Sequence, residues 1–277
     1  MEQSNNLIDI EAIIQNKNPK LYKKLPGFVI NWLKKIICQD KINRLLTLYG
    51  HLQGVEFIDA VFADFNVDIN CYGLENLKEY ADKRLLFVAN HPLGGIDGLA
   101  VISAVNKNFR KATAVVNELL LNINNLREVF CGVNVYGHNT PKIFENIDNL
   151  FNSEDDICIF PAGMCSRKIN GKIQDLKWKK NFIEKAYKHE IPIVPIFVDA
   201  VNSSFFYNVA NLRKKLGIKF NYELVLLPSE VFKYHDKPIN LYFGRPVEPS
   251  VLSGMCNAEE RTQYVRSLTY NLQDTIK

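Results

Sequence analysis

The sequence lacks the features of several large protein classes. Its six cysteines form no CxxC pair and no histidine lies at metal-ligand spacing from them, so no zinc site is expected. Cysteines that fall inside apolar runs are typical of a reducing cytoplasm. No window approaches the roughly 18 uninterrupted apolar residues of a membrane-spanning helix. The N-terminal MEQSNNLIDIEAII has neither the basic nor the apolar region of a signal peptide.

The chain also lacks a strong excess of charge of one sign. Its net charge of +4 is modest for 277 residues, so nucleic acid is not an expected partner. The basic residues are unevenly placed, however. Residues 1–50 carry eight Lys and Arg against four Asp and Glu, and residues 167–188 carry eight against two. Each segment is either a solvated face or a surface for anionic lipid headgroups or a phosphate-bearing ligand.

Helical spacing of apolar residues marks the N-terminal part of the chain. The segment after residue 27 is basic, and an apolar stripe recurs along it at helical spacing. The stripe consists of Phe28, Val29, Trp32, Leu33, Ile36 and Ile37. Such a helix either lies in a membrane interface or packs its apolar face against the rest of the protein. We predict a helical, membrane-associating region over residues 1–75 and an α/β domain over residues 76–277.

From about residue 84, short apolar runs alternate with amphipathic segments. The strand-like runs cover residues 84–90, 112–116, 132–137, 156–163, 191–198, 222–227 and 239–244. The helical patterns cover residues 97–107, 118–128, 140–152, 178–189, 203–216 and 257–276. This alternation predicts an α/β fold with a mixed, largely parallel sheet flanked by helices.

The segment FVANHPLGGIDG, residues 87–98, places a histidine and an aspartate around a glycine pair at the predicted end of a strand. Function in such folds gathers at the carboxyl ends of strands. Gly94 and Gly95 let the chain turn sharply and bring His91 near Asp97 at the start of the next helix. A carboxylate on Nδ1 leaves Nε2 free to take a proton. We interpret the pair as a general base and its orienting acid; the alternative is a structural histidine beside a helix cap.

The chain contains no GxSxG nucleophile elbow, which disfavours a hydrolase of the α/β-hydrolase type. We therefore expect a substrate hydroxyl to attack directly, without a covalent acyl-enzyme. The oxyanion formed in acyl transfer needs hydrogen-bond donors. The backbone N–H groups of Gly94 and Gly95, or those around Gly163, are candidates.

Four sequence blocks occur in a recognisable order. NHPLGGIDG is followed by GVNVYGHN (132–139), IFPAGMCSR (159–167) and IPIVPIFV (191–198). This order resembles the glycerolipid acyltransferase family, the lysophosphatidate acyltransferase-like group. The resemblance extends over roughly residues 8–250 and is closest to a hemolysin-like branch that includes O-acyltransferases of ornithine and glycine lipids.

The resemblance implies transfer of a fatty acyl group from acyl-CoA or acyl carrier protein to a lipid hydroxyl, with no bound cofactor and no metal. His91 would be the general base and Asp97 its partner, while Asn90, Gly94 and Gly95 would shape the site. The acceptor pocket would be lined by Phe160, Pro161, Ala162, Gly163, Ser166 and Arg167. We expect the protein to bind an anionic membrane surface peripherally, on the cytoplasmic face of the inner membrane.

Departures from the family pattern bear on the acceptor. The spacing is His-x5-Asp rather than the usual His-x4-Asp, and the glycine pair can absorb the extra residue. Ala162 stands where the family has glutamate, and Cys165 stands where it has arginine; His138 or Asn139 occupies the arginine position of the second block. Of the arginines that the family pattern has in the second and third blocks, only Arg167 is present in this sequence. Because arginine forks bind phosphate bidentately, their loss disfavours lysophosphatidate and favours a lyso-aminolipid of the ornithine or glycine type.

Other interpretations remain open from the sequence. The acceptor could still be lysophosphatidate or another lysophospholipid of phospholipid synthesis. The chain could instead be a non-catalytic, membrane-active lipid-binding protein, as its resemblance to the hemolysin-like branch suggests. A basic patch consists of Arg213, Lys214, Lys215 and Lys219. It is either solvated surface or a contact for CoA phosphate or a lipid headgroup.

Overall fold

The computed structural model describes residues 7–133 and 140–275. The strands are β1 (Ile69–Tyr72), β2 (Leu86–Ala89), β3 (Ala112–Asn117), β4 (Phe130–Val133), β5 (Asp156–Ile159), β6 (Arg167–Ile169), β7 (Lys172–Gln174), β8 (Ile193–Asp199) and β9 (Ile239–Phe243). The helices of the N-terminal part are α1 (Ile10–Lys17), α2 (Pro19–Tyr22), α3 (Gly27–Ile36), α4 (Gln39–Tyr49) and α5 (Gly54–Phe65). The later helices are α6 (Ile96–Asn108), α7 (Pro141–Asn152), α8 (Asn181–Lys188), α9 (Ser204–Lys215), α10 (Leu227–Val231), α11 (Pro249–Ser253) and α12 (Ala258–Asn271). Short 3₁₀ turns cover Leu74–Tyr80, Glu118–Asn122, Asn124–Leu126, Tyr222–Leu226 and Leu272–Thr275.

Seven strands form one sheet in the order β1-β9-β8-β2-β5-β3-β4. Neighbouring strands are parallel except β8 and β9, which are antiparallel. Strands β6 and β7 form a separate antiparallel hairpin. The predicted mixed, largely parallel sheet flanked by helices is therefore confirmed.

The alternation of side chains along β2 explains how helices pack on both faces of the sheet. Phe87 and Ala89 join a core cluster that includes residues of α5 and α6. Leu86 and Val88 join a second cluster, on the other face, that includes residues of α8 and α12. Successive strand residues point to opposite faces, so a central strand buried on both faces must be apolar throughout, as this one is.

The N-terminal helices divide into a packed and an exposed part. Helix α5 buries most of its apolar residues in the core, whereas α3 leaves Phe28 75% and Trp32 56% exposed. Cys38, with a φ of 57°, separates α3 from α4. Strand β1 precedes residue 76, the predicted boundary of the α/β domain, yet pairs with β9 in the main sheet. Among the described residues, no helix combines the length and apolar character needed to cross a membrane.

Some elements differ from the sequence prediction. Residues 222–227, predicted as a strand, form a 3₁₀ turn that leads into α10. Residues 118–128, predicted as a helix, form two short 3₁₀ turns. Short apolar runs fit a strand and a buried helical turn equally well, which explains the first error. The part of the predicted 132–137 strand beyond Val133 lies outside the described residues.

Candidate active site

The structure brings His91 and Asp97 into direct contact. Strand β2 ends at Ala89, a loop follows, and α6 begins at Ile96. Across this loop the Nδ1 atom of His91 lies 3.0 Å from Oδ2 of Asp97. The His91 side chain is 17% exposed, whereas the carboxylate is fully buried. With Nδ1 bound to the carboxylate, Nε2 is the nitrogen left to accept a proton from a substrate.

Backbone N–H groups of the loop fix the Asp97 carboxylate. The N–H groups of Leu93, Gly94, Gly95 and Gly98 donate to it at 2.8, 3.3, 2.9 and 3.0 Å. The loop thus wraps around the carboxylate, so the extra residue between His91 and Asp97 does not separate them. The N–H groups of both loop glycines point at Asp97 and are not the free oxyanion donors that the sequence suggested.

Charge and hydrogen bonding oppose burial in setting the two pKa values. Burial alone would lower the pKa of His91, but the negative charge and hydrogen bond of Asp97 hold it above its usual value. Burial would likewise raise the pKa of Asp97, but His91 and the N–H groups of Leu93 and Gly95 keep it below its usual value. The carboxylate therefore stays ionised, and the imidazole gains basicity from it.

Gly94 is required where it stands, for two separate reasons. Its φ of +75° lies in the left-handed region that favours glycine. A Cβ atom built on it would also lie 2.7 Å from Cβ of Cys165, closer than side chains approach one another. The turn of the first block therefore packs directly against the third block, although about seventy residues separate them in the chain.

The third block meets the loop that carries His91 through a buried acid that the sequence did not single out. The N–H of Ser166 donates to the carbonyl oxygen of His91 at 2.8 Å. The carboxylate of Asp175 accepts from the N–H of His91 at 3.1 Å and from the hydroxyl of Ser166 at 2.6 Å. Nε1 of Trp178 donates to its second oxygen at 2.8 Å. A signal for Asp175 did exist, because it is one of only two acids in the basic segment 167–188.

Among the remaining residues of the third block, Phe160 contacts the His91 ring. The ring of Phe160 packs on the His91 ring with centroids 4.4 Å apart. Pro161 and Ala162 are buried. The N–H of Gly163, another suggested oxyanion donor, donates to the carbonyl oxygen of Phe160 at 3.0 Å. Of the predicted pocket residues in this block, Phe160 is thus the one whose side chain contacts the imidazole.

Comparison with known proteins identifies the family of the chain. The sequence profile of the Acyltransferase family matches residues 12–277. The chain belongs to the acyltransferase family. The family resemblance and the prediction of an enzyme are thereby confirmed.

Two curated relatives align with this acyltransferase over nearly its whole length. A lyso-glycine lipid O-acyltransferase of Bacteroides thetaiotaomicron is 37% identical over 267 residues, covering 96% of this chain and 97% of the relative. A lyso-glycine lipid O-acyltransferase of Phocaeicola vulgatus is 36% identical over 267 residues, covering 96% and 95%. The crystal structure of the 1-acyl-sn-glycerophosphate acyltransferase PlsC of Thermotoga maritima has the same fold, with a TM-score of 0.51 and 19% identity. It covers 96% of this chain and 92% of its own.

The acyltransferase keeps Arg167 inside the protein rather than on an open pocket wall. Its guanidinium pairs with the fully buried carboxylate of Glu223 at 3.0 Å and donates to the carbonyl oxygen of Cys165 at 2.8 Å. Arg213 pairs with the other oxygen of Glu223 at 2.8 Å. Ser166 is also turned inward, onto Asp175. Two residues expected to line the acceptor pocket thus make internal contacts instead.

Asn90 connects the end of strand β2 of the acyltransferase to the neighbouring strand β8. Its amide accepts from the N–H of Val198 at 2.7 Å and donates to the carbonyl oxygen of the same residue at 3.1 Å. This pair of bonds continues the contact between β2 and β8 one residue beyond the end of β2. Asn90 is buried, and its side-chain amide holds the end of β2 against β8.

The Cys165 thiol is unsuited to act as a nucleophile. Burial raises its pKa to about 11, so the thiol remains protonated at neutral pH. Over residues 7–133 and 140–275 of the acyltransferase, no group of three or more His, Cys, Asp or Glu side chains is arranged to hold a metal ion. His138 and Asn139, which replace the arginine of the second block, lie outside the described residues.

Proposed function

We propose that this enzyme transfers a fatty acyl group from an acyl thioester to the free hydroxyl of a lyso-glycine lipid. The observation that carries the proposal is the 37% identity, over almost the full length of both chains, with a lyso-glycine lipid O-acyltransferase. The chemistry required at the site agrees with it. A hydroxyl acceptor needs a base, and the His91–Asp97 pair supplies one at the end of a central strand.

In the proposed reaction, Nε2 of His91 takes the proton from the acceptor hydroxyl as its oxygen attacks the thioester carbonyl. The bond from oxygen to the acyl carbon forms, and a tetrahedral oxyanion results. When the intermediate collapses, the carbon–sulfur bond breaks and the thiolate leaves, taking the proton from the imidazolium. Asp97 remains ionised throughout and stabilises the imidazolium through its contact with Nδ1.

We propose acyl-CoA or acyl carrier protein as the donor, because both carry the acyl group as a thioester. No covalent acyl-enzyme is needed. Protonation of the buried Cys165 thiol supports direct attack by the acceptor.

The pairing of Arg167 supports an acceptor without a phosphomonoester. This arginine is the only one of the expected set that the sequence retains, and its charge is matched by Glu223. A dianionic phosphate would have to displace that buried carboxylate, which is costly. Lysophosphatidate is therefore the less favoured acceptor, and a glycine lipid is favoured.

We further propose that the enzyme works at the cytoplasmic face of the inner membrane, held there peripherally. The exposed Phe28 and Trp32 of α3, one turn apart, support this placement. Lys35 in the last turn of the helix is exposed as well, so aromatic and cationic groups share one element. Aromatic side chains together with lysines are typical of helices that lie in the interface of anionic membranes.

The test supplies purified protein with labelled acyl-CoA or acyl carrier protein and a panel of lyso-lipids. We expect transfer to lyso-glycine lipid, and we expect His91→Ala to lower the rate by at least about 10²-fold. Circular dichroism and vesicle binding of the variant should match the parent protein. Robust acylation of lysophosphatidate with no turnover of lyso-glycine lipid would overturn the proposed acceptor.

A result without acyl transfer would be informative in another way. Consumption of no thioester by the parent protein, together with vesicle binding or lysis unchanged in His91→Ala, would replace the proposal with the hemolysin-like interpretation. Thioester hydrolysis in the absence of an acceptor would not distinguish the two acceptors, because transferases leak to water. The lyso-lipid panel is therefore the decisive measurement.

A further inference from the structure

Helix α9 has one face in the core and the opposite face in solvent. Phe206, Tyr207 and Ala210 are buried, and the first two pack with Cys165 behind the catalytic loop. The solvent face carries Phe205. At about 100° per residue, positions seven and eleven residues further along return to the same side. These positions are occupied by Leu212 and Leu216, and the three side chains are 59%, 54% and 63% exposed.

The apolar exposure continues past the end of the helix. Residues 214–220 are exposed without interruption, including Leu216, Ile218 and Phe220. Phe220 is 71% exposed. Leucine, isoleucine and phenylalanine side chains exposed next to one another form an apolar patch, and such patches mark interaction sites.

The charge of this surface has one sign. Residues 200–222 contain four basic residues and no acidic one. Of the four, Arg213 is used internally by Glu223. Lys214, Lys215 and Lys219 are exposed and alternate with the apolar side chains along the chain. Lysines interleaved with leucine and phenylalanine match a layer of anionic headgroups above an apolar interior.

The surface is held close to the catalytic loop. Asn202, just before α9, donates from its side-chain amide to the carbonyl oxygens of Pro92 and Leu93, each at 3.2 Å. Cys165, against which α9 packs, is also the residue that Gly94 approaches. A lipid layer seated on the outer face of α9 would therefore lie one packed layer away from the loop that holds His91.

We propose that the outer face of α9 and the turn 216–220 form a second membrane-contact surface, separate from α3. This surface inserts Leu212, Leu216 and Phe220 into the interface of an anionic bilayer. The proposal builds on the proposed function, because a lyso-lipid acceptor resides in a bilayer. Lipid is favoured over an acidic carrier protein because Leu212, Leu216 and Phe220 are each more than half exposed, and a purely electrostatic partner would leave these side chains in water.

The test measures sedimentation of the full chain with phosphatidylcholine vesicles containing phosphatidylglycerol. We expect Phe220→Ser to weaken binding roughly tenfold, because a phenylalanine no longer enters the interface. Replacing Lys214, Lys215 and Lys219 by glutamine should weaken binding about fivefold for each lysine, and only on the vesicles that contain phosphatidylglycerol. Val251→Ser, at an exposed apolar residue of α11, is the matched control and should bind as the parent does.

A second measurement separates this inference from the proposed function. Acyl transfer to a short-chain, water-soluble lyso-lipid should be unchanged in Phe220→Ser, because Phe220 contributes nothing to the catalytic pair. If the parent protein transfers no acyl group but vesicle binding still depends on Phe220, the proposed function is wrong, whereas the proposed membrane-contact surface is supported.

Three outcomes would contradict the proposed membrane-contact surface. Vesicle binding of Phe220→Ser and of the triple glutamine variant could equal that of the parent. The apolar variants could instead abolish a dimer seen by sedimentation equilibrium without changing vesicle binding, which would assign the face to a second copy of the chain. The lysine variants could raise only the KM for acyl carrier protein, which would assign it to that acidic partner.

Discussion

His91 and Asp175 are joined through the backbone, since the N–H of His91 donates to the Asp175 carboxylate at 3.1 Å while the imidazole is bound by Asp97. The histidine thus has two acids, one for its ring and one for its main chain. Asp175 also holds Ser166 and Trp178. It connects the loop that carries His91 to the third block, so we expect it to act as a positioning residue.

Asp175→Asn should lower kcat by about 10- to 100-fold with little change in KM. The amide places a donor where the carboxylate accepts from three donors, so the loop shifts and His91 is misaligned with the attacking hydroxyl. Steady-state kinetics on the lyso-lipid check this. The control is Asp156→Asn, at a buried acid at the other end of the sheet, beside the start of β2, which accepts from the N–H of Leu85. The control should keep kcat, and equal losses of kcat in both variants would contradict the positioning role.

The pH dependence of the rate should report the pairing of His91 with Asp97. A general base must be neutral, so the rate falls as pH drops through the pKa of His91, which the carboxylate holds above the usual value of about 6.5. In Asp97→Asn the negative charge that raises the pKa of His91 is lost, whereas burial, which lowers this pKa, remains. The acidic limb of the profile should therefore move to lower pH, while the plateau rate falls by about 10² to 10⁴-fold. An unchanged acidic limb would show that Asp97 does not set this pKa.

Gly94→Ala and Gly171→Ala form a matched pair of substitutions. Both glycines have left-handed φ values, +75° and +80°, but only Gly94 has no room for a Cβ atom. Gly171→Ala should cost about 1 kcal/mol of unfolding free energy, from the backbone conformation alone. Gly94→Ala should cost roughly 1 to 3 kcal/mol more, because its methyl group meets Cys165. Urea unfolding measures both, and equal losses would contradict the close packing of the two blocks.

Glu223→Gln should destabilise the protein, since it leaves Arg167 and Arg213 with no carboxylate between them. Breaking a buried ion pair on one side costs about 3 to 5 kcal/mol. Adding Arg167→Met to this variant should restore part of the loss, because one uncompensated charge is removed. Thermal unfolding of the three proteins gives the comparison. A double variant that is no more stable than Glu223→Gln would show that the Arg167–Glu223 ion pair contributes little to the free energy of unfolding.

Much of the fold could be predicted from the sequence because its signals are local. Fully buried strands read as apolar runs, and amphipathic helices read as stripes. Strands β2, β5 and β9 therefore fall within predicted strands, and β3 and β8 overlap predicted strands to within one residue. The run at residues 222–227 misled the prediction for the same reason. Its leucines pack under α9 with Cys165, and burial in a helical turn selects the same residue types as burial in a strand.

The sequence by itself determined which groups meet at the candidate site: a histidine at a strand end, an acid six residues later, and glycines between them. These residues are neighbours in the chain, so short-range backbone geometry suffices to join them. The tertiary structure alone decided the role of Asp175, which is 84 residues from His91, and the pairing of Arg167 with Glu223, 56 residues away. Contacts at such separations depend on how whole elements pack, and local sequence preference carries no information about that packing.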